Sequence, residues 1–334
     1  MAKILLLGGT GAMGVYLAPE LINLGYNVFV TSRSSRKSDS DKLTYIKGNA
    51  HNSLFLIKIL ANKYDAIVDF MNYKTDEFSK RYELLLSNTK HYIFVSSCAV
   101  FAESEEPVAE KSPRLLDVLI DAECLATDDY SLAKARQENI LQECQYKNWT
   151  IIRPTITYSK VRFDFASYGS DIFIVRSLNK RPVVLPHEML QKRTTMTWAG
   201  DVAKMIVKLI LDQNTFCEDF NVCTAEHRSW AEVAEYYNKL IGLTIVPIDF
   251  NTYLKIVGTK EKYQKLNCRL QNRRIMDNSK ILKAVGMKQA ELMPLFDGLT
   301  KELSDKDLLK TIKMNFKINR LMDKIIARVA SHTS

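Results

Sequence analysis

The sequence predicts an α/β chain: a doubly wound parallel sheet with a smaller, interleaved C-terminal domain. Two observations lead there. Short apolar strands alternate with amphipathic helices through the first half, the pattern of a parallel sheet covered on both faces. The first strand, Lys3–Leu7, runs directly into Gly8, Gly9, Gly11 and Gly14, four of the chain's 12 glycines within seven residues.

After that first strand, further strands are expected at 27–31, 44–47, 66–70, 91–96 and 150–153, with helices at 13–24, 54–61, 79–87 and 131–145 between them. Pro19 conflicts with the first helix, because it offers no N–H to the Val15 carbonyl and should bend it. Beyond Pro154 the alternation fades. A polar and aromatic stretch, 155–169, leads to a helix at 171–178, a strand at 182–185 and a basic loop at 191–195. Helices follow at 201–211 and 230–240, with a short strand at 220–223 between them. The expected layout is a first domain over 1–165, to which 195–223 return. A substrate domain is built from 166–194 and 224–300, and 301–334 form a basic amphipathic C-terminal helix.

A glycine turn between a buried strand and a helix is a dinucleotide-binding opening. The backbone can approach a pyrophosphate closely, and the free N–H groups of the helix's first turn meet its charge. The spacing of Gly8, Gly11 and Gly14 is G-x-x-G-x-x-G, and Thr10, Ala12 and Met13 complete the expected cradle.

Composition narrows the alternatives. At 334 residues the chain can bury a large core, and 46% hydrophobic with 25% charged residues is ordinary for a globular protein. The early apolar run at 4–7 is too short for a membrane span or a signal-peptide core, so a cytoplasmic location is expected. Six cysteines without C-x-x-C spacing read as free thiols, and five scattered histidines support no metal site. A net charge of +9 asks for anionic partners, which a dinucleotide and a phosphorylated substrate supply. Nucleic acid is not an expected partner, since no aromatic-rich basic motif is present.

The chemistry concentrates at two places. The fifth strand ends in HYIFVSSCAVF, and further on the chain reads YSLAK. On a helix Tyr130 and Lys134 stand one turn apart on one face. A phenol is a poor proton carrier at neutral pH, and a neighbouring ammonium favours its phenolate form. Ser97, at a strand's carboxyl end, can hydrogen-bond the same substrate oxygen.

With these motifs the sequence resembles the extended short-chain dehydrogenase/reductases of the nucleotide-sugar epimerase/dehydratase family, UDP-glucose 4-epimerase-like in type. The resemblance extends to about Leu299. GGTGAMG matches the family's cofactor loop, SSCAVF its S-[ST]-x-x-V-Y element, PVAEKSP its P-V-x-E-x-x-P loop and YSLAK its tyrosine–lysine pair. IIRPT matches the R-P segment beside the nicotinamide, which points to Pro154, and TMTWAGDVA resembles the segment that returns to the first domain. The resemblance implies a Rossmann-type fold, a nicotinamide dinucleotide, and catalytic roles for Ser97, Tyr130 and Lys134.

Cofactor preference has its own signal. NAD-preferring chains usually end the second strand in an acid that bonds the ribose hydroxyls. Here Ser32 stands there, with Arg33 and Arg36 behind it. A serine beside a guanidinium suits a 2′-phosphate, so NADP(H) is favoured and NAD(H) stays usable. Asn49 replaces a family aspartate near the adenine, and Met71 and Tyr73 replace small residues near the nicotinamide ribose.

Related sugar 4,6-dehydratases carry acids after the catalytic Ser/Thr, where this chain has Cys98 and Ala99, so dehydration is disfavoured. Hydride transfer at C4 of a nucleotide-activated sugar, by a 4-epimerase or 4-ketoreductase, is the expected reaction. Lys192 and Arg193 are the expected substrate-phosphate contacts, although the family arginine is displaced by one position. The alternatives are a reductase of a non-sugar carbonyl, or a catalytically silent regulatory or RNA-binding relative. In the tail, Leu308, Phe316, Leu321 and Ile325 are expected to pack on the body or on a partner subunit in a homodimer. Attachment to an anionic membrane is the less favoured use of that helix.

Overall fold

The computed structural model describes residues 1–257 and 275–333; Cys268 lies outside the described residues. Seven strands form one parallel sheet: β1 (Lys3–Leu7), β2 (Asn27–Ser32), β3 (Leu43–Lys47), β4 (Tyr64–Asp69), β5 (Thr89–Val95), β6 (Trp149–Ile152) and β7 (Glu218–Phe220). Their spatial order is β3-β2-β1-β4-β5-β6-β7, so the chain reverses direction of growth between β1 and β4. In such sheets ligands bind outside the strands' carboxyl ends at that reversal.

Alternation within the apolar strands feeds both faces. Ile4 and Leu6 join Leu17 and Leu21 of α1 (Gly14–Asn23) on one side. Leu5 and Leu7 join Leu56 and Ile59 of α2 (Ser53–Leu60) and Leu141 of α3 (Tyr130–Glu143) on the other. α4 (Ala199–Leu209) adds Val202 and Ile206 to the α1 side. Pro19 does sit inside α1.

A separate core gathers Phe165, Phe173, Val184, Tyr237 of α5 (Trp230–Ile241), Tyr253 and Leu299. Val183–Pro186 pairs in parallel with Ile245–Ile248, and Arg193–Thr194 pairs antiparallel with Arg228–Ser229. The polar and aromatic stretch 155–169 contributes a strand, Ile156–Tyr158, that pairs with Met196–Trp198.

Three expectations are corrected. The helix expected at 79–87 is two, Thr75–Ser79 and Tyr82–Ser87, because the chain turns to send the Arg81 guanidinium inward to the carbonyls of Ala50 and His51, each at 3.2 Å. The strand expected at 220–223 ends at Phe220, where the Asn221 amide leaves the sheet to donate to Glu110 Oε1 at 2.8 Å. The tail, 301–334, is not one helix: it starts in the last turn of Leu295–Glu302 and continues as Lys306–Lys310 and α6 (Phe316–Thr333). Asn315 makes the second break, donating its amide to the Asp171 carbonyl at 3.2 Å while its Oδ1 accepts from Ile318 N. Met322 and Ile325 are buried and Leu321 packs beside them, but Phe316, at the helix start, is 77% exposed and joins no core cluster among the described residues. The Leu308 side chain lies outside the described residues. Among the described residues no helix is long and apolar enough to cross a membrane.

Candidate active site

The glycine turn is built by exclusion of side chains. Gly8 holds φ +70°, and a Cβ there would stand 2.9 Å from Met71 Sδ. At Gly14 a Cβ would fall 2.1 Å from the Gly9 carbonyl oxygen, so only glycine lets α1 close on the turn. At Gly11 a Cβ would meet nothing within 4 Å, which leaves that side of the turn open. Gly8 N donates to Thr31 Oγ1 at 2.8 Å, while the amides of Gly11, Ala12 and Met13 find no acceptor among the described residues. Thr10 is half-buried on the same turn, and the Met13 side chain packs inward on the α1-side core. Amides converging at a helix N-terminus beside an open glycine suit a pyrophosphate.

At the end of β2, Ser32 is buried and its Oγ accepts from Ser34 N at 3.3 Å, whereas Arg33 and Arg36 are exposed and carry no acidic partner among the described residues. Asn49 is exposed after β3, with its Oδ1 accepting from His51 N at 3.1 Å, so one acceptor position already closes a turn.

Helix α3 begins at Tyr130 and places Lys134 one turn later. Lys134 is 2% exposed; its Nζ donates to the Val95 carbonyl at 2.8 Å and the Met71 carbonyl at 3.1 Å, and sits 4.5 Å from the Phe94 ring centre. Burial lowers its pKa from the ordinary lysine range to about 8. An ammonium has three donors, and these two carbonyls are the acceptors it finds among the described residues. Tyr130 is half-buried at the start of the helix. Ser97 Oγ accepts from Ala99 N at 3.1 Å, which leaves its hydroxyl proton to donate elsewhere. The Pro154 carbonyl accepts from Cys98 N at 3.0 Å, fixing the R-P segment against the serine turn. The structure thus joins Gly8, Met71 and Lys134 by direct contacts at the sheet's carboxyl end, with Ser97 and Pro154 on the neighbouring strand ends.

Cys98 is buried, and its thiol donates to the Arg153 carbonyl at 3.0 Å, so it faces the interior. Lys192 and Arg193 make no hydrogen bond to the assembled set. Lys192 Nζ pairs with Glu103 at 3.4 Å, tying the basic loop to the 103–129 segment, and Arg193 is exposed on its two-residue strand. A cavity of about 320 Å³ lined by Gln142, Lys147, Trp149, Cys217 and Asp219 lies at the amino ends of β6 and β7 and contains none of the expected residues.

Sequence reasoning passed over two buried acids. Asp69, at the end of β4, accepts from Met71 N at 2.9 Å, Tyr92 OH at 2.8 Å and Tyr73 OH at 3.0 Å. Burial raises its carboxyl above the ordinary range. Glu138, one turn beyond Lys134, accepts from Ser96 Oγ at 2.5 Å and from Arg153. An acid inside the apolar run AIVDF was the available signal for Asp69, and the i, i+4, i+8 series Tyr130, Lys134, Glu138 was the signal for the second.

The sequence profile of the NAD dependent epimerase/dehydratase family matches residues 4–223, most of the chain. The chain belongs to that family. A curated member of the comparison, the chloroplast stem-loop binding protein of 41 kDa b of Arabidopsis thaliana, is 25% identical over 256 residues, covering 72% of this chain. The chain spans 63% of the length of that relative. The fold is shared with dTDP-glucose 4,6-dehydratase of Bacillus anthracis, solved in complex with NAD: TM-score 0.71, 15% identity, 94% of this chain and 100% of that one. UDP-glucuronic acid 4-epimerase of Bacillus cereus, solved with UDP-glucuronic acid and NAD, gives TM-score 0.70 at 16% identity, over 92% of this chain and 99% of that one. The NAD dependent epimerase/dehydratase family is one of nicotinamide-dependent enzymes, and the open, amide-lined turn at Gly11 fits such a dinucleotide.

Proposed function

We propose that this chain moves a hydride at C4 of a nucleotide-activated sugar, as a 4-epimerase or 4-ketoreductase, with Ser97, Tyr130 and Lys134 as the acting residues. The observation that carries the reading is Lys134: a buried ammonium at the sheet's carboxyl end, one helical turn from Tyr130 and bonded to the Met71 that packs on Gly8. A bound nicotinamide dinucleotide would supply the hydride acceptor or donor. The residues that would hold it are the amides of Gly11, Ala12 and Met13, Thr10, Ser32 with Arg33 and Arg36, Asn49, Met71 and Pro154.

Tyr130 takes the proton from the C4 hydroxyl or returns it, Lys134, one helical turn away, binds the ribose and favours the phenolate, and Ser97 donates to the sugar oxygen. Cys98 and Ala99 offer no acid for eliminating water, so the sugar's other carbons are left unchanged. Ser32 with the guanidiniums of Arg33 and Arg36, which carry no acidic partner among the described residues, favours NADP(H) over NAD(H). The described residues of 166–194 and 224–300 would hold the sugar nucleotide, with Lys192 and Arg193 toward its phosphates.

The test is incubation of the purified protein with a panel of nucleotide sugars, with and without NADPH or NADH, and product analysis by mass and NMR. An isomer of unchanged mass identifies an epimerase, and a gain of two hydrogens a reductase. Neither product with either cofactor overturns the reading.

The name of the chloroplast relative and the net charge of +9 favour a second reading, a cofactor-bound protein that binds RNA stem-loops without turnover. It requires tight, salt-dependent stem-loop binding alongside a blank sugar panel.

A further inference from the structure

We propose that Asp69 is a positioning residue that holds Lys134 in place and keeps it an ammonium. The proposal rests on the hydride-transfer reading, in which Lys134 acts. Asp69 is the last residue of β4 and is fully buried. Its carboxylate works on Lys134 by two routes. Oδ1 accepts the Met71 amide at 2.9 Å and so shapes the turn after β4, and the carbonyl of that same Met71 receives Lys134 Nζ at 3.1 Å. The carboxylate's field also reaches the ammonium directly and favours its charged form.

The groups around the pair leave them as each other's counter-ions. Asp69 is faced by the Tyr73 and Tyr92 hydroxyls and the Met71 amide; the Arg81 guanidinium lies over the Tyr73 ring, 4.7 Å from its centre, and pairs with Glu77. Lys134 is faced by Asp69 from β4, by the Val95 carbonyl and Phe94 ring from β5, by the Met71 carbonyl, and by Glu138 on its own helix. Glu138 is already balanced by Arg153 at 2.8 Å and Arg114 at 3.4 Å. Asp69 pairs with no guanidinium among the described residues. A lone buried carboxylate and a lone buried ammonium each offset the other's desolvation.

The deciding variant is Asp69→Asn. Its side-chain oxygen still accepts the Met71 amide, so the turn is kept while the charge is removed. Lys134 is followed by NMR of nitrogen-15-lysine-labelled protein, with Lys134→Met to assign the signal. In Asp69→Asn the Lys134 titration should fall by about one pH unit or more, the effect of losing an opposite charge at close range. NADPH binding, followed by fluorescence, should match wild type below the Lys134 titration and weaken above it.

Tyr73→Phe, which removes a donor and no charge, should leave Lys134 near its wild-type titration. A Lys134 titration unmoved in folded Asp69→Asn overturns the proposal. If that variant does not fold, the wild-type protein decides. The carbon-13 carboxyl shift of Asp69 must inflect where Lys134 titrates, and a curve without that inflection overturns the proposal equally. None of these readouts uses a sugar, so a blank nucleotide-sugar panel would sink the catalytic reading and leave this one standing.

Discussion

Arg153 meets Glu138 through two parallel hydrogen bonds inside the protein, Nε to Oε1 at 2.8 Å and Nη2 to Oε2 at 2.9 Å. Neither side chain reaches solvent to any extent, and the same carboxylate accepts from Ser96, the residue before Ser97. Removing one member of such a pair leaves a charge buried without its partner. Glu138→Gln should therefore cost about 3–5 kcal/mol, read from urea unfolding midpoints. A loss under about 1 kcal/mol would mean that Asp219, 2.7 Å from Arg153 Nη1, balances the guanidinium alone.

His91 makes stability depend on pH in a defined window. Its Nδ1 accepts from Leu211 N at 3.0 Å, so the proton sits on Nε2, which donates to Thr150 Oγ1 at 2.8 Å. Burial lowers its pKa from 6.5 to about 4. The folded state holds the neutral ring, while the unfolded chain takes up a proton below its own pKa. Stability from this residue is thus complete above that value, declines as pH falls through the window, and is gone below about 4. The whole decline amounts to about 3 kcal/mol. Wild type and His91→Gln, unfolded in urea at a series of pH values, should converge toward the acid end; parallel curves would place the titration elsewhere.

Tyr130→Phe should fold and bind cofactor while turnover falls on the order of 10²–10⁴-fold, since only the proton-carrying hydroxyl is removed. Turnover near wild type would exclude Tyr130 from the chemistry.

Arg33 is exposed with no acidic partner among the described residues, so a 2′-phosphate would meet an uncommitted guanidinium. Arg33→Ala should weaken NADPH binding by about 1.5–3 kcal/mol and leave NADH nearly unchanged, measured by calorimetric titration. Equal losses for both cofactors would leave only stacking on the adenine.

Most of the sheet was readable because its strands are short, apolar and closed by glycine or polar turns, as at Lys3–Leu7 and Thr89–Val95. Local pattern failed where a distant partner decides. Arg81 breaks a helix to reach the carbonyls of Ala50 and His51, about 30 residues earlier. Ile156–Tyr158 is a strand only because Met196–Trp198 lies beside it. The same holds at the site. The YSLAK spacing singled out Tyr130 and Lys134 as candidates, but Asp69 is set by Tyr92 and Lys134, which no local window around it contains.

The tail has its clearest anchor at Arg176. That guanidinium is fully buried; Nη1 donates to the Asn319 carbonyl at 3.2 Å and side chain at 3.1 Å, and Nη2 meets Asp323 at 2.8 Å. Met322 and Ile325 of the same helix enter the core that holds Val184 and Tyr253. The apolar side that a membrane would need is therefore engaged, although eight Lys/Arg against four Asp/Glu make the segment 301–334 basic. Arg176→Ala should cost about 1.5–3 kcal/mol, the worth of hydrogen bonds to a charged group, and should expose α6 to limited proteolysis. Wild-type protein should stay in the supernatant with acidic liposomes at low salt, whereas Arg176→Ala, with its helix released, should sediment and be freed by salt. Salt-reversible sedimentation of the wild type itself would show that the docked helix is not its resting state.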